Sequence, residues 1–397
     1  MEYYLVGGAV RDKLLNRAVK DRDWVVVGAT PEYMLQHGYQ SVGADFPVFL
    51  HPKTNEEYAL ARTERKTAKG YNGFECDASQ HITLEQDLLR RDLTINAMAM
   101  DQPGNIIDPY NGQRDLEDRI LRHVSDAFVE DPLRVLRVAR FAARFNSLGF
   151  TIAPETMELM KTLVLNDELS ALSAERVWQE TSRSLLEDTP NIYFENLRAC
   201  GALKVWFEEL DSIWQPDTGL ALKHAVNLSE KLTIRFAALV HDLGKDLTTT
   251  EQIPADNVHV NRGLEAINQL SQRLKVPNEC RELALMVCEF HQHLHIAFEL
   301  TPQTILTILD RCDIWRKPER FMDFLITCKA IAGARQNHNT TEYPNADYIW
   351  QAYLAAHKVD VKNIVAKGFQ GRAIREQLDK GRVTAIQFFK QQYENQP

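Results

Sequence analysis

The 397-residue chain has no Cys-x-x-Cys pair, no long apolar run, no low-complexity tract, no internal repeat and no excess of positive charge. Each absence removes a class of protein. Its six cysteines (Cys76, Cys200, Cys280, Cys288, Cys312 and Cys328) are scattered. That spacing argues against a disulfide framework or a zinc knuckle and for free thiols in a reducing compartment, the cytoplasm. Apolar runs such as Trp24–Val27 stop far short of the roughly 18 residues a membrane span needs. The opening Met1-Glu2-Tyr3-Tyr4 has no basic segment of the secretory kind, so no signal peptide is expected. With 44% hydrophobic and 25% charged residues the composition is globular, and the length predicts two to three domains. The net charge of -9 excludes a wholly basic nucleic-acid coat but not a local basic surface. Lys358–Pro397 carries eight Lys or Arg against four Asp or Glu, a net of +4 that leaves -13 for the remainder. A second basic cluster is Arg62, Arg65, Lys66 and Lys69. Either could also be a solvated face.

Two textures follow one another. Residues 1 to about 115 mix short β-branched runs with glycine and proline turns, and the pattern beyond is helical. The first part reads as strand (Tyr3–Val6), Gly7-Gly8 turn, helix (Ala9–Leu15) and strand (about Asp21–Val27). Strand-like pieces follow at Pro47–His51 and Glu57–Arg62, then a polar stretch from Thr63 to Asp77 that reads as a mobile loop, then a helix at Leu84–Arg91. The second part predicts helices at 132–146, 154–164, 174–187, 191–200, 222–243, 263–274, 279–291, 302–312, 318–334 and 345–356, with loops at 251–262 and 335–344. The fold class is therefore an α/β N-terminal head, a small sheet with flanking helices, followed by an all-α remainder.

The densest chemistry lies at the N-terminus. A strand ends in Gly7-Gly8, Arg11 sits in the first turn of the next helix, and Asp21-x-Asp23 follows. Strand alternation would point Asp21 and Asp23 the same way. Two adjacent carboxylates repel unless a cation lies between them, and hard oxygen ligands suit Mg2+. A Gly-Gly turn offers backbone N–H groups to phosphate, and Arg11 adds a charged donor. Together these residues imply phosphoryl or nucleotidyl transfer. A charged turn beside a plain hairpin is the alternative.

The strings Leu5-Val6-Gly7-Gly8-Ala9-Val10-Arg11-Asp12 and Lys20-Asp21-Arg22-Asp23-Trp24 resemble the bacterial CCA-adding enzymes. These are class II tRNA nucleotidyltransferases of the DNA polymerase beta superfamily; the likeness is to the gamma-proteobacterial type with an HD-like second half. Arg90-Arg91-Asp92-Leu93-Thr94-Ile95-Asn96 is similar to the family's second motif, which binds nucleotide phosphate and sugar. Ile107-Asp108-Pro109-Tyr110-x-Gly112-x-x-Asp115-Leu116 is similar to the motif joining head and neck, or is a simple Asp-Pro turn. In Glu130-Asp131-Pro132-Leu133-Arg134-Val135-Leu136-Arg137-Val138-Ala139-Arg140 the arginines recur every three residues as one ridge. The resemblance implies that Asp131 and Arg134 pair with the edge of the incoming base, and that Arg137 and Arg140 also contact nucleotide. A carboxylate accepts from the exocyclic amino group that C and A carry at the pairing-edge position where U and G carry a carbonyl. Ser173-Ala174-Glu175-Arg176 resembles the last family motif and reads as structural, with Ser173 as a helix cap. Glu57 is a candidate third carboxylate, and Asp92 and Asn96 are candidate nucleotide contacts.

The implied function is addition and repair of the tRNA 3′ CCA end from CTP and ATP, without a nucleic-acid template. The implied reaction is Mg2+-dependent two-metal transfer with release of pyrophosphate. Asp21 and Asp23 would be catalytic and hold metal; Gly8, Arg11, Arg91, Asp131, Arg134, Arg137 and Arg140 would bind nucleotide. The Thr63–Asp77 stretch would move between CTP and ATP. The partners are the tRNA acceptor end, CTP and ATP, with no membrane, for a monomer or homodimer. The expected domains are a catalytic head (1–115), a helical neck (116–210), an HD-like body (211–335) and a helical tail that contacts tRNA (336–397).

His241-Asp242-Leu243-Gly244-Lys245 is the metal-sharing pair of HD phosphohydrolases. The rest of that pattern departs: Asp217-Thr218-Gly219 leads to Leu220-Ala221 rather than to His, and His291 is followed by Gln292. His224, His259, His291, His293 and His295 make no full ligand set, so a vestigial site is expected. A poly(A) polymerase, a still-active HD phosphohydrolase and a non-catalytic tRNA-binding protein are the competing readings.

Overall fold

The computed structural model describes residues 1–42, 47–66, 74–214, 216–245, 255–336 and 342–395. It divides into two compact units, Met1–Trp206 and Phe207–Pro397. Among the described residues no helix is long and apolar enough to cross a membrane.

The first unit opens with β1 (Glu2–Val6), α1 (Gly8–Leu14), β2 (Asp23–Val27), α2 (Pro31–Gln36), β3 (Gln40–Ser41), β4 (Val48–Leu50) and β5 (Glu57–Leu60). It continues with β6 (Thr63–Lys66), β7 (Phe74–Asp77), α3 (Leu84–Leu89), β8 (Ala99–Met100), β9 (Ile106–Ile107) and α4 (Gly112–Asp118). Seven strands form one sheet in the order β3-β4-β5-β2-β1-β8-β9. Its central pair, β1 and β2, is antiparallel with Val6 opposite Asp23; β2 runs parallel to β5 with Asp23 opposite Glu57. Alternation sorts the two faces. Val6 and Val25 pack with Leu88 of α3 on one, while Val26, Tyr58 and Leu60 pack with Met34 of α2 on the other. α3 begins with a reciprocal capping box between Thr83 and Gln86.

Past the sheet, β10 (Ile120–Leu121) pairs parallel with β11 (Thr151–Ile152), bracketing α5 (Leu133–Phe145). α6 (Pro154–Leu165), α7 (Ala174–Leu185), α8 (Asn191–Ala199) and α9 (Ala202–Trp206) complete the unit, and α5 packs against α7 and α8. Ser173 caps α7 through the Arg176 N–H, as its sequence suggests.

The second unit is helical: α10 (Glu208–Ile213), α11 (Pro216–Leu228), α12 (Leu232–Val240), α13 (Ala255–Leu274), α14 (Asn278–His295), α15 (Pro302–Arg311), α16 (Pro318–Gln336), α17 (Pro344–His357), α18 (Val361–Ala366) and α19 (Arg372–Glu394). α12 is buried from Ile234 to Val240 and packs against α11, α14 and α16; its one charged residue, Arg235, donates to the Ser229 carbonyl at 3.0 Å.

Four expectations need correction. Asp21 lies two residues before β2, so alternation along a strand does not align it with Asp23. The polar stretch 63–77 is flanked by strands: β6 and β7 pair antiparallel, Thr63 opposite Asp77, and residues 67–73 fall outside the described residues. The helix expected at 222–243 is two. Ser229 accepts from the Lys231 N–H through its hydroxyl and from Arg235 Nε through its carbonyl, and such local bonds compete with a continuous helix. In the expected loops, α13 already starts at Ala255 and α16 runs to Gln336; residues 246–254 and 337–341 fall outside the described residues.

One glycine fixes how α4 meets the sheet. A Cβ at Gly112 would lie 2.3 Å from the Thr94 carbonyl oxygen and 2.9 Å from Met98. Asp108 accepts from the Gly112 N–H at 2.7 Å and the Gln113 N–H at 2.9 Å, so the Asp-Pro turn caps this helix. Gly112→Ala is expected to destabilise the first unit by about 1–3 kcal/mol through overpacking. Denaturant unfolding checks this, and an unchanged midpoint would contradict the contact.

Candidate functional site in the first unit

The β1–α1 junction needs its first glycine. Gly7 has φ +67°, a region that favours glycine, and a Cβ there would stand 2.8 Å from Arg91 Nη1. At Gly8 a Cβ would sit 3.3 Å from Arg11 Nη2. Arg11 is 3% exposed. It donates from Nε to Asp12 at 2.8 Å and from Nη1 to Asn96, and lies 5.3 Å over Phe141 and 5.0 Å over Phe145. Burial lowers its pKa and Asp12 opposes that shift. Asp12 also accepts from Arg144 of α5 at 3.1 Å. The short α1 is thus pinned to α5 through charge.

Asp21 and Asp23 both line a cleft of about 1060 Å³. Asp23 reaches solvent through its mouth, yet its pKa is raised: surrounding protein desolvates the carboxylate, Arg91 opposes, and Asp21 adds repulsion. Glu57 is exposed, does not line the cleft, and stands in register beside Asp23.

The end of α3 supplies the next layer. Asp87 is fully buried and accepts from Arg90 at 2.8 Å and Arg91 at 3.1 Å. Burial works against its ionised form, but Arg91 and Arg90 win and hold its pKa low. Arg91 Nε is buried without a hydrogen-bond partner. Asp92 accepts from the Leu93 N–H, the Asn96 amide at 3.0 Å and Arg137 at 2.8 Å. Burial alone would raise its pKa; Arg137 and Asn96 hold it well below the usual carboxylate range.

α5 presents the arginine ridge, but the ridge is not solvated: Arg134 and Arg140 are buried. Arg134 donates to the carbonyls of Ala127 and Arg90, which fixes its guanidinium plane. Arg140 donates to Glu180 at 2.6 Å and stacks 4.5 Å over Phe141, and Arg137 lies 3.8 Å from Glu180. Asp131 accepts from the Leu133 N–H at 3.1 Å and from Arg176 at 3.0 Å.

One cleft therefore gathers Gly8, Arg11, Asp21, Asp23, Arg91, Asp92, Asn96, Asp131, Arg134, Arg137 and Arg140. Twelve Lys or Arg side chains line it against seven carboxylates, the balance a polyanionic ligand requires. Sequence reasoning missed Asp87 and Glu180, and read the Arg176 motif as structural. Glu180 lies four residues beyond Arg176 on α7, a helical spacing that could have flagged both.

The tail's basic residues are partly committed internally. Arg375 pairs with Asp310 and Asp379, and Arg382 stacks 3.5 Å over Trp315. Lys358, Lys362 and Lys367 are exposed. Of the other basic cluster, Arg62 lines the cleft, and the side chains of Arg65, Lys66 and Lys69 fall outside the described residues.

In the second unit, His241 ends α12 with Asp242 after it. Asp242 lies 3.3 Å from His241 Nε2, 3.7 Å from His291 Nε2 and 2.5 Å from Lys245 Nζ. Burial pushes His291 down to about 3, and with Arg335 pushes His295 down to about 4. His224 packs where a Cβ at Gly333 would meet it at 3.0 Å. His293 packs its ring against Phe290, and the His259 side chain falls outside the described residues. Among the described residues no group of three or more His, Cys, Asp or Glu side chains is arranged to hold a metal ion.

The sheet, the Gly7-Gly8 turn and the cationic cleft define a nucleotidyltransferase head. Residues 3–122 match the poly A polymerase head domain, 149–213 the probable RNA- and SrmB-binding site of polymerase A, and 218–315 the HD domain. The chain is 62% identical to the multifunctional CCA protein of Pseudoalteromonas atlantica, over 97% of this chain and 99% of that protein. It is 56% identical to that of Vibrio vulnificus, over 97% and 98%. The chain belongs to this family, the CCA-adding tRNA nucleotidyltransferases, enzymes that depend on a divalent metal. Its fold is similar to an apo CCA-adding enzyme (TM-score 0.69, 21% identity, 97% of this chain and 88% of that one). It is also similar to the Thermotoga maritima CCA-adding enzyme complexed with tRNA (TM-score 0.66, 20% identity, 97% and 87%) and to a CCA-adding enzyme with ATP (TM-score 0.67, 20% identity, 97% and 86%).

Because the Asp92 pKa is lower folded than unfolded, its pairing contributes stability above the unfolded value of about 3.9 and loses it as pH falls. Asp92→Asn leaves Arg137 short of its partner, and a loss of about 3 kcal/mol is expected at neutral pH. Unfolding measured across pH should show a constant gap between parent and variant down to about pH 5, closing below about pH 4. A gap already closing near pH 6 would contradict an ionised Asp92.

Proposed function

We propose that the cleft of the first unit is where CTP and ATP are added to the tRNA 3′ end, in the cytoplasm. The observation that carries this reading is the meeting of Asp21 and Asp23 with the Asp131–Arg140 ridge in one cleft. The reaction joins the tRNA 3′-oxygen to the nucleotide α-phosphate and releases pyrophosphate. Arg11 and Arg91 hold the triphosphate beside Gly8, and Asp92 and Asn96 keep Arg137 and Arg11 in place for it. Asp131 accepts from the amino group of C or A, Arg134 donates to ring or carbonyl acceptors, and Arg137 and Arg140 face the nucleotide. Glu57 stands beside Asp23 as an accessory carboxylate.

Asp21 and Asp23 fit Mg2+: they are two hard-oxygen ligands lining one cleft, and desolvation first, with Asp21 adding repulsion, raises the Asp23 pKa. Mg2+ needs only one or two carboxylates when substrate phosphates and water complete its shell. Bound there, it supplies neutralisation of the triphosphate and activation of the 3′-hydroxyl. We assign the head to 1–115, the neck to 116–210, an HD-like body to 211–335 and a tRNA-contacting tail to 336–397. The break after Trp206 and the exposed Lys358, Lys362 and Lys367 support that division.

Purified protein with Mg2+ and tRNA lacking CCA should add two nucleotides from CTP alone and a third only when ATP is present. Asp21→Ala or Asp23→Ala should cut the rate by about a thousandfold, the scale of several kcal/mol of lost charge stabilisation. Chelation should abolish turnover. A long A ladder from ATP alone would instead indicate a poly(A) polymerase, and tRNA binding without turnover a non-catalytic protein.

The second unit's His241-Asp242 pair is read as a vestige. The observation favouring this is the missing third ligand among the described residues. Phosphatase and phosphodiesterase assays with Ni2+ or Mn2+ should show no turnover above a His241→Ala control. Metal-dependent turnover lost in His241→Ala would overturn this.

A further inference from the structure

Arg176 stands in the first turn of α7, yet its guanidinium reaches 45 residues back in sequence to Asp131. The two atoms of the Asp131 carboxylate are engaged differently. Oδ1 accepts from the Leu133 N–H at 3.1 Å, and Oδ2 accepts from Arg176 Nη2 at 3.0 Å. An ionised carboxylate has about four lone-pair sites, so these two bonds fix its plane without exhausting its acceptors. The pair lines the cleft and both side chains are a little over one-fifth exposed. A pair that accessible contributes at most about 1 kcal/mol to stability. α5 and α7 are in any case joined more deeply by Arg140 and the buried Glu180. The Arg176–Asp131 pair therefore adds little to the joining of α5 and α7.

We propose that Arg176 is a specificity-determining positioning residue: by holding Asp131 Oδ2 it sets the plane in which Asp131 accepts an amino group, and so the rejection of U and G. This rests on the proposed base-reading role of Asp131. A carboxylate free to rotate can turn its second oxygen away and admit a base that bears a carbonyl where C and A bear the amino group. Fixed at both atoms, it opposes that carbonyl with an acceptor, which is repulsive. Selection thus depends on an interaction that touches no nucleotide.

The test is single-nucleotide addition to truncated tRNAs with CTP, UTP, ATP or GTP. Parent, Arg176→Gln, Arg176→Lys, Asp131→Asn and the double variant Arg176→Gln/Asp131→Asn are compared, each checked for an unchanged thermal midpoint. Arg176→Gln should reduce the CTP-over-UTP ratio of kcat/KM by about tenfold, the scale of one misaligned base contact. Arg176→Lys should recover part of it, and the double variant should be no less selective than Asp131→Asn alone. If Arg176→Gln slows all four nucleotides equally with the ratio intact, while Asp131→Asn changes the ratio, Arg176 is structural and the proposal fails. If Asp131→Asn also leaves the ratio intact, the base-reading assignment itself fails and takes the proposal with it. If Arg176→Gln unfolds, Arg176→Lys decides alone: an unaltered ratio with a reduced rate for every nucleotide overturns the proposal.

Discussion

Twelve cationic side chains around one cleft would repel one another if buried carboxylates did not hold them. Asp87 on α3, Asp92 just beyond its end and Glu180 on α7 do this, each almost fully buried and each touching two arginines or an arginine and an amide. A buried carboxylate is costly unless its partners are close and correctly oriented. The cleft therefore exists only in a conformation that satisfies all three. That constraint couples the sheet's end, α3, α5 and α7, and it leaves a net positive surplus directed at the opening. That surplus suits a polyanionic ligand, and the satisfied charges behind it hold the arginines in place.

The sheet contributes position rather than charge. Val6 is the last residue of β1 and sits opposite Asp23, so the chain leaves the sheet at Gly7 beside the Asp23 end of β2. Gly7 adopts its left-handed conformation against Arg91, which Asp87 holds from behind. A side chain at Gly7 would push Arg91 off Asp87 and so disturb a charge pair on another element. Two apolar faces buried on α2 and α3 make that edge rigid.

Much of this was legible in the residues. The glycine pair, the two aspartates and the arginine triplet announce themselves because their spacing is local: a turn, a short polar string, a helical repeat. The helices expected at 154–164, 302–312, 318–334 and 345–356 fell close to their observed limits for the same reason, their prolines marking starts at 154, 302, 318 and 344. What failed was non-local. Asp21 is in coil, because the pairing of β1 with β2 ends at Val6 opposite Asp23 and nothing extends the ladder to Asp21. The polar 63–77 stretch carries too few apolar residues to signal strands, yet β6 and β7 pair along their backbones. Asp87 looks like an ordinary first-turn helix acid, and only the fold reveals that it is buried beneath two arginines. The reach of Arg176 to Asp131 was not legible because Ser173 and Glu175 give its helix start a sufficient local explanation.

The second unit shows the same physics with fewer partners. His291 Nε2 and His295 Nε2 are buried without hydrogen-bond partners, while Asp242 lies between His241 and the Lys245 ammonium. Burial works against the ionised Asp242, and His241 and then Lys245 hold its pKa low; burial disfavours protonation of His291 and His295, so neither adds to that charge. A bound divalent ion would have to displace that ammonium with too few ligands to hold it among the described residues. In the first unit each buried carboxylate has two or more partners and the geometry is over-determined; here His241 and Lys245 flank Asp242. Packing around α12 does not depend on a ligand, because Ile234, Phe236 and Leu239 are buried and Arg235 donates to the Ser229 carbonyl. The cleft of the first unit, by contrast, cannot lose one buried carboxylate without releasing the arginines it holds.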